Sequence, residues 1–482
     1  MNASSDLQNV SSVRRPARRV RGRVVALLMW LFVFIAVATT ISYNPYQKDQ
    51  VNLALGAALI FLALVPLSRW ISNERRSTIP LLEMHLLFYA ACFGIAAFVV
   101  PVRFMGGLRV TEEQYTQALI AAIVAVCCTG LGYAFALRMP YGTLKYLQLP
   151  PTSRRQDIVA PTILYPLGFV AGLVARKMEI SELVMVFDAV RLFAFVWALH
   201  AAWSRGLTGT LRNLVIWGLM PFEFLLFGGL GNGQLGGLLV YGQIVGVCFA
   251  LTKGRLPVLV GVTVIAAFAL MQPVKMNYRD MTWKHDENSG ALDGAILFIE
   301  VAIDSYTSRN SSSSFSDVFE ESYGRINHLH TTAGIIADTP SIQPFRNGTT
   351  LAPLFTKWIP RLIWPGKPRE DLGNSWGRDY GYLSATDDVT SYNLPWLAEM
   401  FMNYGWAGVA VLSGLIGALM GFIAKVVSAR AVGSAGFAFA LLISSAFFFP
   451  ESNISLQLGF MIITAASAWF SVLAAAALAK QR

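Results

Sequence analysis

Residues 24–41, VVALLMWLFVFIAVATTI, form an uncharged apolar run. Eighteen residues at ~1.5 Å each cover most of a hydrocarbon core of ~30 Å when helical. Such a run is either the apolar part of a signal peptide or a retained membrane anchor. Its length, and the lack of a small-x-small cleavage pattern behind it, favour the anchor. Ahead of it lies the polar stretch 1–23, which ends in Arg14, Arg15, Arg18, Arg19, Arg21 and Arg23. A short basic tail before a spanning helix is normally retained on the cytoplasmic side.

Working outward, comparable runs recur at 51–67, 79–100, 115–137, 158–175, 183–203, 214–230, 235–251, 256–273, 405–426, 435–449 and 455–479. With the first run they predict an all-α polytopic membrane protein of about 12 transmembrane helices with one large external loop region. The composition agrees, at 55% hydrophobic and 14% charged residues. The chain divides into a basic tail (1–23), nine spans (24–273), a polar excursion (274–395) and three further spans to the C-terminus (396–482).

Charge placement tests the count. Alternating from a cytoplasmic start, the inner segments hold 21 Lys and Arg, from Arg14 to Arg482, and the short outer loops only Lys48, Arg103, Arg109, Arg176 and Lys177. That asymmetry follows the positive-inside rule and puts both termini in the cytoplasm. The net charge of +10 is therefore a topological signal. The 274–395 segment is slightly acidic, with 11 basic and 15 acidic residues, which disfavours a nucleic-acid partner. Within it, Ala291–Ile303 is too short to span and reads as an interfacial or re-entrant helix.

Several chemistries find no footing. Cys92, Cys127, Cys128 and Cys248 all sit in apolar runs without metal-ligand spacing, so neither a disulfide nor a zinc site is expected. Gly231–Gly236 spells GNGQLG, but between two spans it reads as a tight turn or close helix packing, as do Gly417 and Gly421. No D-x-D, G-x-S-x-G or P-loop pattern occurs. Ionisable residues inside spans, namely Glu83, His85, Asp188, Arg191 and Glu223, are candidate functional groups because burying them in lipid is costly. Asp188 and Arg191, three apart on one helical face, read equally well as neutralising each other.

The sharper signals lie in the polar excursion. Between Pro340 and Glu370, Arg346, Lys357, Arg361, Lys367 and Arg369 stand against Glu370 alone, interleaved with Trp358, Trp364 and several prolines. Guanidinium forks match phosphate oxygens, so this cluster suits an anion better than a merely solvated face. The tryptophans also suit an aromatic belt at the membrane boundary.

The order of parts resembles the bacterial O-antigen and exopolysaccharide polymerases, the Wzy-type repeat-unit polymerases. The likeness rests on Y-R-D (278–280), R-I-N-H (325–328), I-P-R-L-I-W-P-G-K-P (359–368) and E-M-F-M-N-Y-G-W-A-G (399–408), and covers roughly 275–425. The family often has two sizeable external loops, whereas this chain has one. The resemblance implies a GT-C-like, metal- and cofactor-independent glycosyltransferase of the bacterial inner membrane. Its donor and acceptor would be undecaprenyl-diphosphate-linked oligosaccharides, and a chain-length regulator protein would be a partner besides membrane lipid. Arg279, Arg361, Lys367 and Arg369 are assigned to the diphosphate, because preorganised cations stabilise a departing pyrophosphate. Arg325 joins the substrate-binding set. His328 is the first choice for general base and Glu399 the second. Trp364 and Trp376 would stack on sugars. Two rivals remain: a ligase using the same donor, and a transporter or flippase working through Glu83, Asp188, Arg191 and Glu223.

Overall fold

The computed structural model describes residues 5–43, 48–73, 78–99, 110–141, 149, 152–204, 207–228, 235–284, 291–307, 323–324, 326–357, 359, 363–367, 371–428 and 433–480. Only the backbone is described for 5–21, 272–273, 276, 279–280, 282–284, 291–293, 295 and 476–480.

Among these residues the chain is helical and contains no strand. The first half comprises α1 (Ser5–Tyr43), α2 (Gln50–Ser72), α3 (Leu81–Tyr89), α4 (Glu112–Arg138), α5 (Arg154–Lys177), α6 (Ser181–Trp203), α7 (Gly209–Asn213), α8 (Met220–Phe227) and α9 (Gly236–Lys253). The second half comprises α10 (Val258–Lys284), α11 (Ala291–Thr307), α12 (His328–Asp338), α13 (Pro353–Thr356), α14 (Leu372–Asp379), α15 (Trp396–Val426), α16 (Gly433–Ser445) and α17 (Ile454–Lys480). Among the described residues, ten helical segments are long and apolar enough to cross a membrane. The expected spans at 256–273 and 435–449 correspond to the shorter apolar helices Val258–Met271 and Gly433–Ser445. Within the basic 1–23 tail the chain is helical from Ser5 and runs on into the first span.

The tightest seam joins α4 and α15. Small residues let the two backbones meet: a Cβ on Gly417 would run into the Thr129 carbonyl, and one on Gly421 would fall 2.6 Å from the Tyr133 carbonyl oxygen. The Thr129 hydroxyl donates to the Ser413 carbonyl at 3.3 Å across the same seam. In lipid, where apolar burial gives little drive between helices, close backbone packing of this kind supplies much of the association.

Alternating helices bring the described basic loops to one end of the bundle. There the Lys425 ammonium donates to the carbonyls of Leu137 and Met139, both at 2.6 Å, and Lys253 to that of Trp203 at 2.6 Å. The Asp157 carboxylate accepts from Ser434 at 3.3 Å at this same end. At the opposite end, Asn52 donates to Glu112 at 2.7 Å, and a lobe built from 323–395 covers the helix ends.

Three backbone irregularities shape the spans. A π turn, Ala90–Gly94, continues α3, and the Ala91 carbonyl accepts a hydrogen bond from the Tyr323 hydroxyl of the lobe. A second π turn, Leu214–Leu219, joins α7 to α8. Within α15 the helix breaks at Tyr404 (φ −143°) and Gly405 (φ 58°), the latter a left-handed conformation that glycine adopts without a Cβ penalty. The break leaves Trp396–Asn403 as a short buried half-helix under the lobe, while the span proper begins near the expected residue 405.

Three of the ionisable residues of the spans, Asp188, Arg191 and Glu223, form a linked set. Arg191, 4% exposed, directs Nη1 at both carboxylate oxygens of Glu223, itself 0% exposed. The Tyr165 hydroxyl donates to Glu223, and Arg191 Nη2 donates to the Tyr241 hydroxyl at 3.3 Å. The guanidinium lies 3.3 Å from the Phe227 ring centroid. Asp188 sits 3.7 Å from Arg191 Nε and takes Arg176 as its closer partner. The i, i+3 pairing is thus present but secondary; the main partner of Arg191 comes from another helix.

Candidate functional site

The lobe meets the bundle along two walls. On the first, α12 begins at Asn327, whose side chain accepts from the His330 amide at 3.3 Å, and every residue from His328 to Ile336 is buried. This segment is thus a helix sunk between α3, α4 and α15. His328 lies against the rings of Phe88 and Phe93, at 5.5 and 6.3 Å between centroids. His330 Nδ1 and the Tyr115 hydroxyl share a hydrogen bond of 2.7 Å. The Lys48 ammonium stands 5.1 Å from the Tyr115 ring centroid and 4.0 Å from Glu112. Burial holds Lys48 below the ordinary lysine range, and the nearby Glu112 carboxylate partly offsets this.

The second wall is built from the broken half of α15 and the start of α17. Glu399 is fully buried; its Oε1 accepts from the Thr350 hydroxyl at 2.7 Å and its Oε2 from the Ile454 amide at 2.6 Å. Asn403, one turn on, donates to Thr350 Oγ1 at 2.7 Å and accepts from the Gly348 amide at 2.7 Å. This network ties the loop at 346–350 to both helices. Beside it, Glu451 is 7% exposed, accepts from Asn393 at 2.6 Å and lies near Gly236 at the start of α9. A polar cleft of about 100 Å³ opens between Ser391, Asn393, Ser452 and Asn453.

The cationic segment sits above this wall. Lys357 is 8% exposed, and its methylenes fill the space left by Gly459 of α17. The Lys367 ammonium donates to the carbonyls of Lys357 at 2.9 Å and Ile359 at 3.1 Å. It therefore closes the ends of the 357–367 segment onto each other. Trp364 is half-exposed in the same turn. Arg361, Arg369 and Arg325 lie outside the described residues, as do Trp358 and four residues of GNGQLG. Arg279 is described only as backbone in α10, one turn beyond the buried Lys275.

Of the residues singled out by sequence, the structure brings Lys367 and Trp364 together, with Glu399 beneath them through Thr350 and the loop leading into α13. His328 belongs to the other wall, linked through Phe88, which packs against Phe449 at 5.0 Å. Trp376, expected to stack on a sugar, is fully buried as the core of the lobe. Its rings pack against Tyr380, Tyr382 and Tyr392, and its Nε1 donates to the Tyr392 carbonyl at 3.0 Å. Sequence reasoning passed over Tyr115, Glu451 and Asn453. Glu451 was recoverable, since a carboxylate between two apolar runs, in FFFPESNIS, stands out as much as Glu399 does.

Compared with protein-family models, curated proteins and solved structures, the chain matches none.

Proposed function

We propose that this protein is a membrane glycosyltransferase that joins polyprenyl-diphosphate-linked oligosaccharide units into a surface polysaccharide. In this reading it is a twelve-span GT-C-like enzyme of a bacterial inner membrane, with both termini cytoplasmic and the lobe in the periplasm. The observation that carries the reading is the seating of the cationic segment. Lys357 is buried against α17 where the lobe meets the bundle, Lys367 donates back to its carbonyl, and Arg361 falls between the two in sequence. A diphosphate held at a membrane surface by its lipid tail would arrive at that level. Preorganised cations there would stabilise the negative charge that develops on the leaving group.

Arg279, Arg361 and Arg369 are assigned to the diphosphate, and Lys367 to holding Lys357 and Ile359 to its own turn. We assign the acceptor's general base to His328, because both oxygens of Glu399 already accept hydrogen bonds from the protein. The His328 ring is buried, so an acceptor must part the lobe from α3 to reach it.

A strain lacking the protein should accumulate lipid-linked single repeat units, whereas accumulation of long lipid-linked chains would identify the ligase alternative. Arg361→Ala should insert normally and fail to restore polymer, and full-length polymer from that variant would remove Arg361 from the site. The transporter alternative draws on the buried Arg191–Glu223 pair. It predicts that neutralising this pair abolishes function while deleting 340–370 does not.

A further inference from the structure

An apolar crevice of about 390 Å³ opens on the bundle between α5, α6 and the helical run from α7 to α8, away from the lobe. Both walls are irregular for reasons legible in the sequence. α5 carries Pro161 and Pro166 in its interior, and each removes an amide donor and crowds the carbonyl four residues back. The facing wall is the Leu214–Leu219 π turn, which widens the helix. Neither wall can straighten to close the gap, so the crevice is built into the fold.

Its dimensions suit one leaflet. The lining runs along α5 from Asp157 to Pro166, which at ~1.5 Å per residue is ~14 Å, about half of a ~30 Å hydrocarbon core. The inner limit is Tyr165, whose hydroxyl is committed to Glu223. The outer limit is the end of the bundle that gathers the basic loops. There Arg154 and Arg155 precede Asp157, and Arg212 follows the lining residue Leu211, all three exposed. The Asp157 carboxylate accepts from Thr152 and Trp197, at 2.7 and 2.8 Å, and against its one negative charge the rim holds three arginines. A partner helix ~10 Å across would not enter such a slot.

We infer that the crevice holds one acyl chain of an anionic phospholipid from the leaflet at the basic end, with its phosphate against Arg154, Arg155 and Arg212. Basic residues capping an apolar slot between spanning helices are the chemistry that selects acidic headgroups. The inference is independent of the glycosyltransferase reading.

The test uses the full chain, purified in detergent, with phosphatidylglycerol or phosphatidylcholine added, and reads thermal melting and bound lipid by native mass spectrometry. Phosphatidylglycerol should raise the melting temperature and be retained in preference to phosphatidylcholine. Gly218→Phe should fill the crevice and lose that shift; a Cβ there meets only the flexible Leu214 side chain, at 3.3 Å. The triple variant Arg154→Gln, Arg155→Gln, Arg212→Gln leaves the bundle interior untouched and should bring retention of the two lipids to a ratio near one. Equal retention of both lipids by the native protein would overturn the inference. So would an undiminished phosphatidylglycerol preference in the triple variant.

Discussion

Replacing Glu399 by glutamine separates a structural from a chemical role for the one carboxylate buried in the half-helix of α15. The side chain accepts from the Thr350 hydroxyl and the Ile454 amide, and Thr350 in turn accepts from Asn403. Hydrogen bonds to a charged group contribute about 1.5–3 kcal/mol each, and an unmet buried donor costs about 1–3 kcal/mol. Glutamine keeps one acceptor oxygen and turns an N–H toward a neighbour that is itself a donor. Glu399→Gln should therefore destabilise by about 2–3 kcal/mol, since one of two charge-assisted bonds is lost. Glu399→Ala strands both donors and should cost about 4 kcal/mol, while Thr350→Val should cost about 1–2 kcal/mol. Thermal melting of the purified protein in detergent should rank the variants in that order. Native-like melting of Glu399→Gln together with lost activity would refute the latch and return Glu399 to the list of proton acceptors.

Two further outcomes follow from the geometry. Glu223→Leu leaves the Arg191 guanidinium in the bundle with Asp188, at 3.7 Å, as its remaining carboxylate and should cost about 3–5 kcal/mol, whereas adding Arg191→Met should return the protein to within about 1 kcal/mol of native. Melting of the two singles and the double checks this, and a double as damaged as the singles would contradict it. Lys48 is a base whose folded pKa lies below its unfolded one, so its charged form opposes folding, and that penalty fades as pH rises through the folded pKa. The melting advantage of Lys48→Met over native should accordingly shrink as pH is raised from 7 toward ~10, the ordinary lysine range; a constant difference would show that the shift does not bear on stability.

What could be read from the sequence divides along physical lines. Ten of the expected spans fall on helical segments long and apolar enough to cross a membrane, and two on shorter apolar helices, because an uninterrupted apolar run carries its own evidence and needs no partner. The placing of basic loops at one end follows from alternation along the chain. The close α4–α15 seam was foreshadowed by Gly417 and Gly421, since small residues four apart leave a groove whatever fills it. Features set by distant contacts were hidden. Glu223 lies far along the chain from Arg191, so the nearer Asp188 drew the pairing. The burial of α12 depends on Tyr115 and the aromatic wall of α3, contacts that its own residues do not announce. Trp376 carries the same sequence signature as an exposed sugar platform, and only the surrounding tyrosines make it a core residue. The break at Gly405 is marked in sequence by a glycine, but glycine is equally common in straight spanning helices.

The most direct measurement places the purified protein in liposomes with polyprenyl-diphosphate-linked repeat units and a metal chelator, and follows glycan length and released lipid diphosphate on gels. A ladder of lengthened glycans with stoichiometric lipid diphosphate, absent from Arg361→Ala, is the result expected of a cation-assisted polymerase. Unaltered units, or units merely carried across the bilayer, would contradict it.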